Sequence, residues 1–263
     1  MKVKPYETKA KYKDWHMILY AKAGQGKTTS MKYLPGKTLL LDLDHSSDIV
    51  LAGQDKIVEY RFDDGSEEGR KFNRVHAIED METFLGDKEI RNIGEAYDNL
   101  VIDNISSFEK DWFVERGRES KNGIGNEIQD YGQYANYIAR IVTSIYMIPN
   151  INIVITAWEQ IIENNTESGQ TFSQYAPDLR LKSLNGFLGL ADVVARLMVN
   201  PKTQSRGVIL EGTNSIYAKN RLDNRTSAPI EELFEFGGEA NVSTPRLSKE
   251  TNQPSKAETG TGK

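Results

Sequence analysis

The chain has 263 residues, a formal charge of −5 and no cysteine; that length suits one α/β domain with a full core plus appendages, and the missing thiols exclude disulfides and thiolate metal sites. Three scattered histidines argue against a zinc site, and the negative charge argues against whole-surface binding to nucleic acid while leaving room for a local basic loop. With no run of about 18 apolar residues and no signal-type segment in Met1–Lys13, the expectation is a cytoplasmic protein without a membrane span.

In chain order, residues 1–14 form a lead-in carrying Lys2, Lys4, Lys9, Lys11 and Lys13. It reads as a solvated approach to the first strand, with a nucleic-acid arm as the alternative. The apolar run Trp15–Tyr20 then predicts a buried strand, followed by Ala21-Lys22-Ala23-Gly24-Gln25-Gly26-Lys27-Thr28-Thr29 and a helix from about Thr28 to Leu34.

A triphosphate needs converging backbone N–H groups, which only glycine or small residues allow, and a cation that does not fill the cradle. Ala23, Gly24, Gln25 and Gly26 supply the loop and Lys27 the charge; Thr28 supplies a hydroxyl for magnesium, with Thr29 one residue further into the helix. The first position of the G-x-x-x-x-G-K-[ST] pattern is Ala21, which is tolerable where φ stays negative.

Pro35-Gly36 ends that helix, and Thr38–Asp44 reads as a buried strand emerging into acidic residues, with Asp44 at its carboxyl end beside the nucleotide crevice. Gln54–Phe62 is a further strand, Asp63–Gly69 an acidic turn, and Ile78–Leu85 has helical spacing. Asn99–Asn104 is an apolar run closed by Asp103, the pattern of a Walker B strand, where an aspartate holds the magnesium's hydration shell; the alternative is a turn aspartate.

Glu115–Glu127 reads as a polar, locally basic loop. Ile128, Tyr131, Ala135, Ile138, Ile141 or Val142, Ile145 and Ile148 define one helix face, with core packing favoured over base stacking. Asn152–Ala157 is the next buried strand, Asn164–Arg180 a long polar segment, and Val193–Val199 and Val208–Glu211 two strands joined across 200–207. Ala218-Lys219-Asn220-Arg221 sets two cations two residues apart. Residues 237–263 are polar with almost no bulky apolar side chain, which predicts a disordered tail after a globular region at 15–236.

This order of pieces resembles a RecA-like ATPase core over roughly Trp15–Phe236. More narrowly, [GA]-x-x-G-x-G-K-T at Ala21–Thr28, Leu190–Val194 and Ala218–Arg221 resemble the phage nucleotide-binding P-loop proteins of replication and recombination modules. The resemblance implies a RecA-like P-loop fold, α/β, with a mostly parallel sheet flanked by helices. It implies ATP with Mg2+ at Lys27, Thr28 and Asp103, and a role in phage DNA metabolism.

It also implies that Asp44 polarises the attacking water, one methylene shorter than the glutamate many relatives carry there. By the same resemblance the segments Glu115–Glu127 and Asn164–Arg180 face single-stranded DNA, with Arg116, Arg118 and Lys121 as phosphate contacts, or are mobile solvated loops. Lys219 and Arg221 resemble Lys-x-Arg fingers that reach a neighbour's γ-phosphate in a ring or filament, which requires a homo-oligomer; a surface salt bridge is the alternative. The tail would recruit a single-strand binding protein or a helicase. An ATPase leads, a nucleotide-gated DNA-binding or strand-annealing module follows, and a nucleoside or nucleotide kinase comes last for want of an arginine-rich lid.

Overall fold

The computed structural model describes residues 13–165 and 169–236; the lysine-rich lead-in up to residue 12 and the polar tail from 237 lie outside the described residues. The elements are β1 (His16–Ala21), α1 (Lys27–Ser30) prolonged by a 3-10 turn at Met31–Tyr33, β2 (Thr38–Asp42), α2 (Ser47–Leu51), β3 (Ile57–Glu59), α3 (Ala77–Gly86), β4 (Asn99–Asp103), α4 (Ile105–Arg118), α5 (Ile128–Tyr146) and β5 (Asn152–Asn165). After them come β6 (Thr171–Pro177), α6 (Leu181–Leu190), β7 (Val193–Val199), β8 (Arg206–Ile209), β9 (Lys219–Asn220) and β10 (Ser227–Pro229).

The strands run in the order β10-β8-β7-β1-β5-β4-β2-β3. From β7 to β3 every neighbouring pair is parallel, while β8, β9 and β10 add antiparallel at the β7 side. A parallel sheet must be covered on both faces, and its strands therefore read as unbroken apolar runs. Alternate residues of β1 show why: Ile18 and Tyr20 enter a core with Phe84, Phe108, Tyr134 and Leu184 from α3, α4, α5 and α6. Met17, Leu19 and Ala21 enter a second core with Met31, Leu210, Ile230 and Leu233 on the other face. Trp15 closes that second core, its ring 6.2 Å from Phe234 and 5.2 Å from Phe236. Among the described residues no helix is long and apolar enough to cross a membrane.

Several expectations need correction. The helix after the phosphate loop is shorter than expected, with α-helical turns only over Lys27–Ser30. Of Gln54–Phe62 only Ile57–Glu59 pairs with β2. The segment Glu115–Glu127 is not all loop, because α4 continues through Arg118. Asn164–Arg180 is largely ladder rather than loop: β5 runs on past the sheet and pairs antiparallel with β6 from Glu159↔Pro177 to Asn165↔Thr171. Neither face of that ribbon is fully covered, so it carries no continuous apolar signal.

On α5 the buried stripe is Tyr134, Ile138, Ile141, Val142 and Ile145, but its first turn departs from the expected face. Ile128 and Tyr131 are exposed there, and the buried position is Asp130, which accepts from the Glu127 N–H at 2.7 Å as a cap and from Arg116 at 3.4 Å.

Ile155, in the part of β5 that lies between β1 and β4, pairs with Ile18 and Ile102 and is buried. Ile155→Ala should cost about 2–5 kcal/mol through lost transfer energy and the cavity left behind. Urea unfolding checks this as a lower midpoint with an unchanged slope.

Candidate functional site

Both strands that feed the site end at the same edge of the sheet. β1 delivers the chain into Ala21–Gly26, and Ala21 itself stays buried without a positive φ, so its methyl does not obstruct the loop. Gly24 and Gly26 take φ of 75° and 102°, a region that disfavours any side chain, and Gly26 precedes the first residue of α1. A cavity of about 350 Å3 lies over this turn, walled by Gly24, Lys27, Thr28, Asp44, Asp103 and Trp158 among others.

Lys27 is 7% exposed. Its ammonium donates to the carbonyls of Ala21 at 3.1 Å and Lys22 at 3.3 Å rather than to a carboxylate. Burial pulls its pKa down, and the charges of Asp103, Asp44 and Glu159 pull it back up. The cation is thus held on neutral oxygens that a phosphate can replace.

Asp103 closes β4 and is 1% exposed. One carboxylate oxygen accepts from the Thr28 hydroxyl at 2.7 Å and the other from the Thr156 hydroxyl. β4 and β5 pair in a register that sets Ile102 beside Ile155, which brings Thr156 alongside Asp103. Thr156 escaped sequence reasoning; its only signal was a single hydroxyl inside an otherwise apolar strand.

Asn104 follows, and its side chain works at both ends. The carbonyl accepts from the Ser107 N–H at 2.9 Å, capping α4, and the amide donates to Asp44 at 2.8 Å. Asp44 also accepts from the Ser46 N–H at 3.1 Å. Asp42, by contrast, is buried and bound to the Ser47 N–H and hydroxyl, a structural role.

Ala23 and Thr29 also line the cavity, whereas the predicted finger and DNA-contact residues are not on its wall. Lys219 donates to the carbonyls of Leu188 at 2.7 Å and Gly189 at 3.3 Å, covering the last turn of α6. Arg221 is exposed. Arg116 pairs with Glu119 and faces Asp130 and Gln133, and Arg118 donates to the Val75 carbonyl at 2.7 Å. Lys121 is exposed in the turn after α4.

The donor set fits a magnesium–triphosphate: a positive-φ glycine cradle, one ammonium, one hydroxyl and one buried carboxylate. Among the described residues no group of three His, Cys, Asp or Glu forms a protein-only metal cage.

A family model described as an AAA domain matches residues 13–222. Among solved structures, a KaiC-like protein from Pyrococcus horikoshii is similar at 15% identity and TM-score 0.41, over 75% of this chain and 78% of that one. The RadB recombinase is similar at 12% identity and TM-score 0.45, over 82% of this chain and 86% of that one. No curated protein matches the chain.

Burial raises the Asp103 pKa to about 6, against the two threonine hydroxyls, which lower it. The folded value stands above the unfolded one of about 3.9, so this group's contribution to stability is complete below about pH 4 and lost as pH rises through about 6. In nucleotide-free, magnesium-free protein, Asp103→Asn should melt higher than the parent near about pH 7, an advantage that shrinks toward about pH 4. Thermal melts of both proteins across that range are the check.

Proposed function

The chain belongs to the AAA domain family, and on that premise we propose that it binds ATP with Mg2+ at Ala23–Thr29 and hydrolyses it. The observation that carries this reading is the meeting of Lys27, Thr28, Asp103 and Asp44 around one cavity at the carboxyl ends of β1, β2 and β4. In the proposed complex Lys27 moves from the carbonyls of Ala21 and Lys22 to the outer phosphates, an exchange of neutral acceptors for charged ones. Thr28 and Asp103 hold the magnesium, with Thr156 keeping the carboxylate oriented. Bound there, Mg2+ would supply positive charge to offset that of the triphosphate.

Asp44 is the candidate for water. Held by Asn104 and Ser46, it orients the attacking oxygen and accepts its proton. A bond forms from that oxygen to the γ-phosphorus while the bond to the β–γ bridging oxygen breaks; ADP and phosphate leave, and the proton passes to solvent. Its short side chain also favours the second reading, a nucleotide-gated module with little turnover.

The finer reading, work on single-stranded DNA in phage replication or recombination, is supported by the order of motifs and by Lys121, which is exposed. Arg116 and Arg118 are engaged within the chain and lend it less. A cation reaching a second copy of the chain is better supported for Arg221, which is exposed, than for Lys219, which covers the end of α6.

Lys27→Ala should lower ATP affinity or turnover by about a hundredfold or more, since among the described residues no other cation is on the wall of this cavity. Asp44→Asn should lower single-turnover hydrolysis by about 10²-fold while leaving ATP affinity near that of the parent. Equilibrium titration with ATP and single-turnover hydrolysis, each with and without single-stranded DNA, measure both. Parental hydrolysis by Lys27→Ala refutes the assignment.

A further inference from the structure

The phosphate loop is met from outside by the β7–β8 hairpin. Arg206 opens β8, and its Nε donates to the Gln25 carbonyl at 3.0 Å. A Cβ on Gly26 would stand 2.8 Å from that Nε and 3.2 Å from the arginine Cδ, so glycine is what lets this side chain lie against the loop.

The base of the contact is firm. β7 pairs directly with β1, the strand that delivers the loop, and β8 is held between β7 and β10. The turn of the hairpin is closed by its own bonds: the Asn200 N–H donates to the Ser205 carbonyl and the Gln204 N–H to the Asn200 carbonyl, both at 2.8 Å. Arg206 therefore reaches the loop from a frame that it shares with β1.

The peptide it holds is one that could otherwise turn over. The Gln25–Gly26 bond is trans, and in a planar trans unit the C=O and N–H point in opposite directions. Arg206 lines a cleft on the hairpin side, whereas Gly26 is on the walls of both that cleft and the cavity with Lys27 and Thr28. With its carbonyl drawn toward the hairpin, the unit turns the Gly26 N–H away from the hairpin, and this N–H donates to no acceptor among the described residues. Gly26, at a φ of 102°, has no Cβ to resist rotation of the unit. Reversal would set a carbonyl oxygen where an anion needs an N–H, replacing attraction by repulsion.

We propose that Arg206 is a positioning residue for the phosphate loop: by holding the Gln25 carbonyl outward it keeps the Gly26 N–H directed into the cradle, without itself touching the ligand. The inference rests on the phosphate-loop reading and adds to it a part for the β7–β8 hairpin.

The experiment compares the full-length parent with Arg206→Ala and with Lys202→Ala, which removes an exposed cation from the turn of the same hairpin. Arg206 is exposed, so its truncation leaves both cores intact. ATP with magnesium is titrated at about 0.1 M and about 1 M salt, where charges are screened beyond about 10 Å and about 3 Å. A deficit caused by charge at a distance fades in the higher salt, and one caused by a turned peptide persists. Arg206→Ala should weaken ATP by about tenfold at both, the scale of one misplaced hydrogen bond to a charged group. Lys202→Ala should match the parent in high salt.

A second readout needs no ligand. Gln25-Gly26 is the only Gln-Gly pair in the sequence, so isotopic labelling of glutamine carbonyl carbons and glycine nitrogens gives one magnetic-resonance signal for this peptide alone. In nucleotide-free protein Arg206→Ala should displace that signal, and Lys202→Ala should leave it in place.

An Arg206→Ala variant with parental affinity, or one whose deficit vanishes in high salt, overturns the positioning role and leaves the phosphate loop standing. A peptide signal unmoved by Arg206→Ala overturns the anchoring by itself. A parent that binds no ATP refutes the phosphate-loop reading, and this role falls with it.

Discussion

The carboxylate of Asp103 is the constraint from which the rest of the site follows. Burying a charge is costly unless donors meet it, and here two hydroxyls do so from opposite sides, one from the phosphate-loop helix and one from β5. Three separate stretches of chain are thereby fixed to one another at the edge of the sheet. The arrangement still leaves the carboxylate reluctant to ionise, and a nearby dication would relieve that reluctance. Were a dication bound as proposed, the loaded site would be more favourable than the empty one, a common settlement where function and stability compete.

The second ionic feature of this edge is of another kind. Glu159, just past Trp158 on β5, pairs with Arg196 of β7 at 2.7 Å, and both are almost fully buried. The guanidinium also stacks 3.7 Å from the Tyr175 ring centre. This cluster joins the parallel sheet to the β5–β6 ribbon where that ribbon departs. On the other side of β5, Lys110 lies 4.0 Å over the Trp158 ring. One strand thus carries Thr156 into the site, Trp158 along its wall and Glu159 into the foundation of the ribbon.

Much of this was legible in the residues. Ala21–Thr28 and Asn99–Asp103 announce themselves because glycine, lysine and a strand-ending aspartate answer to local geometry alone. Thr156 and Asn104 do not, since their roles exist only once the register of β4 and β5 and the capping of α4 bring them beside Asp103 and Asp44. Lys219 read as a finger toward a neighbour or as half of a surface salt bridge because the carbonyls it meets belong to a helix 30 residues earlier. The ribbon read as a polar loop because its periodicity has no covered face to mark it. Arg206 and the phosphate loop are 181 positions apart, a distance no local pattern spans.

The alternation along β1, by which neighbouring residues serve opposite cores, makes this strand intolerant of changes in length. Losing one residue would send Ile18 and Leu19 to each other's sides and turn the departing loop to face the wrong way. Only a change of two would preserve the phase, and it would lift the glycine cradle off Asp103 by about 7 Å. Variation in this lineage would therefore accumulate as substitutions within β1, with insertions and deletions confined to segments that do not set the height of the loop above the sheet.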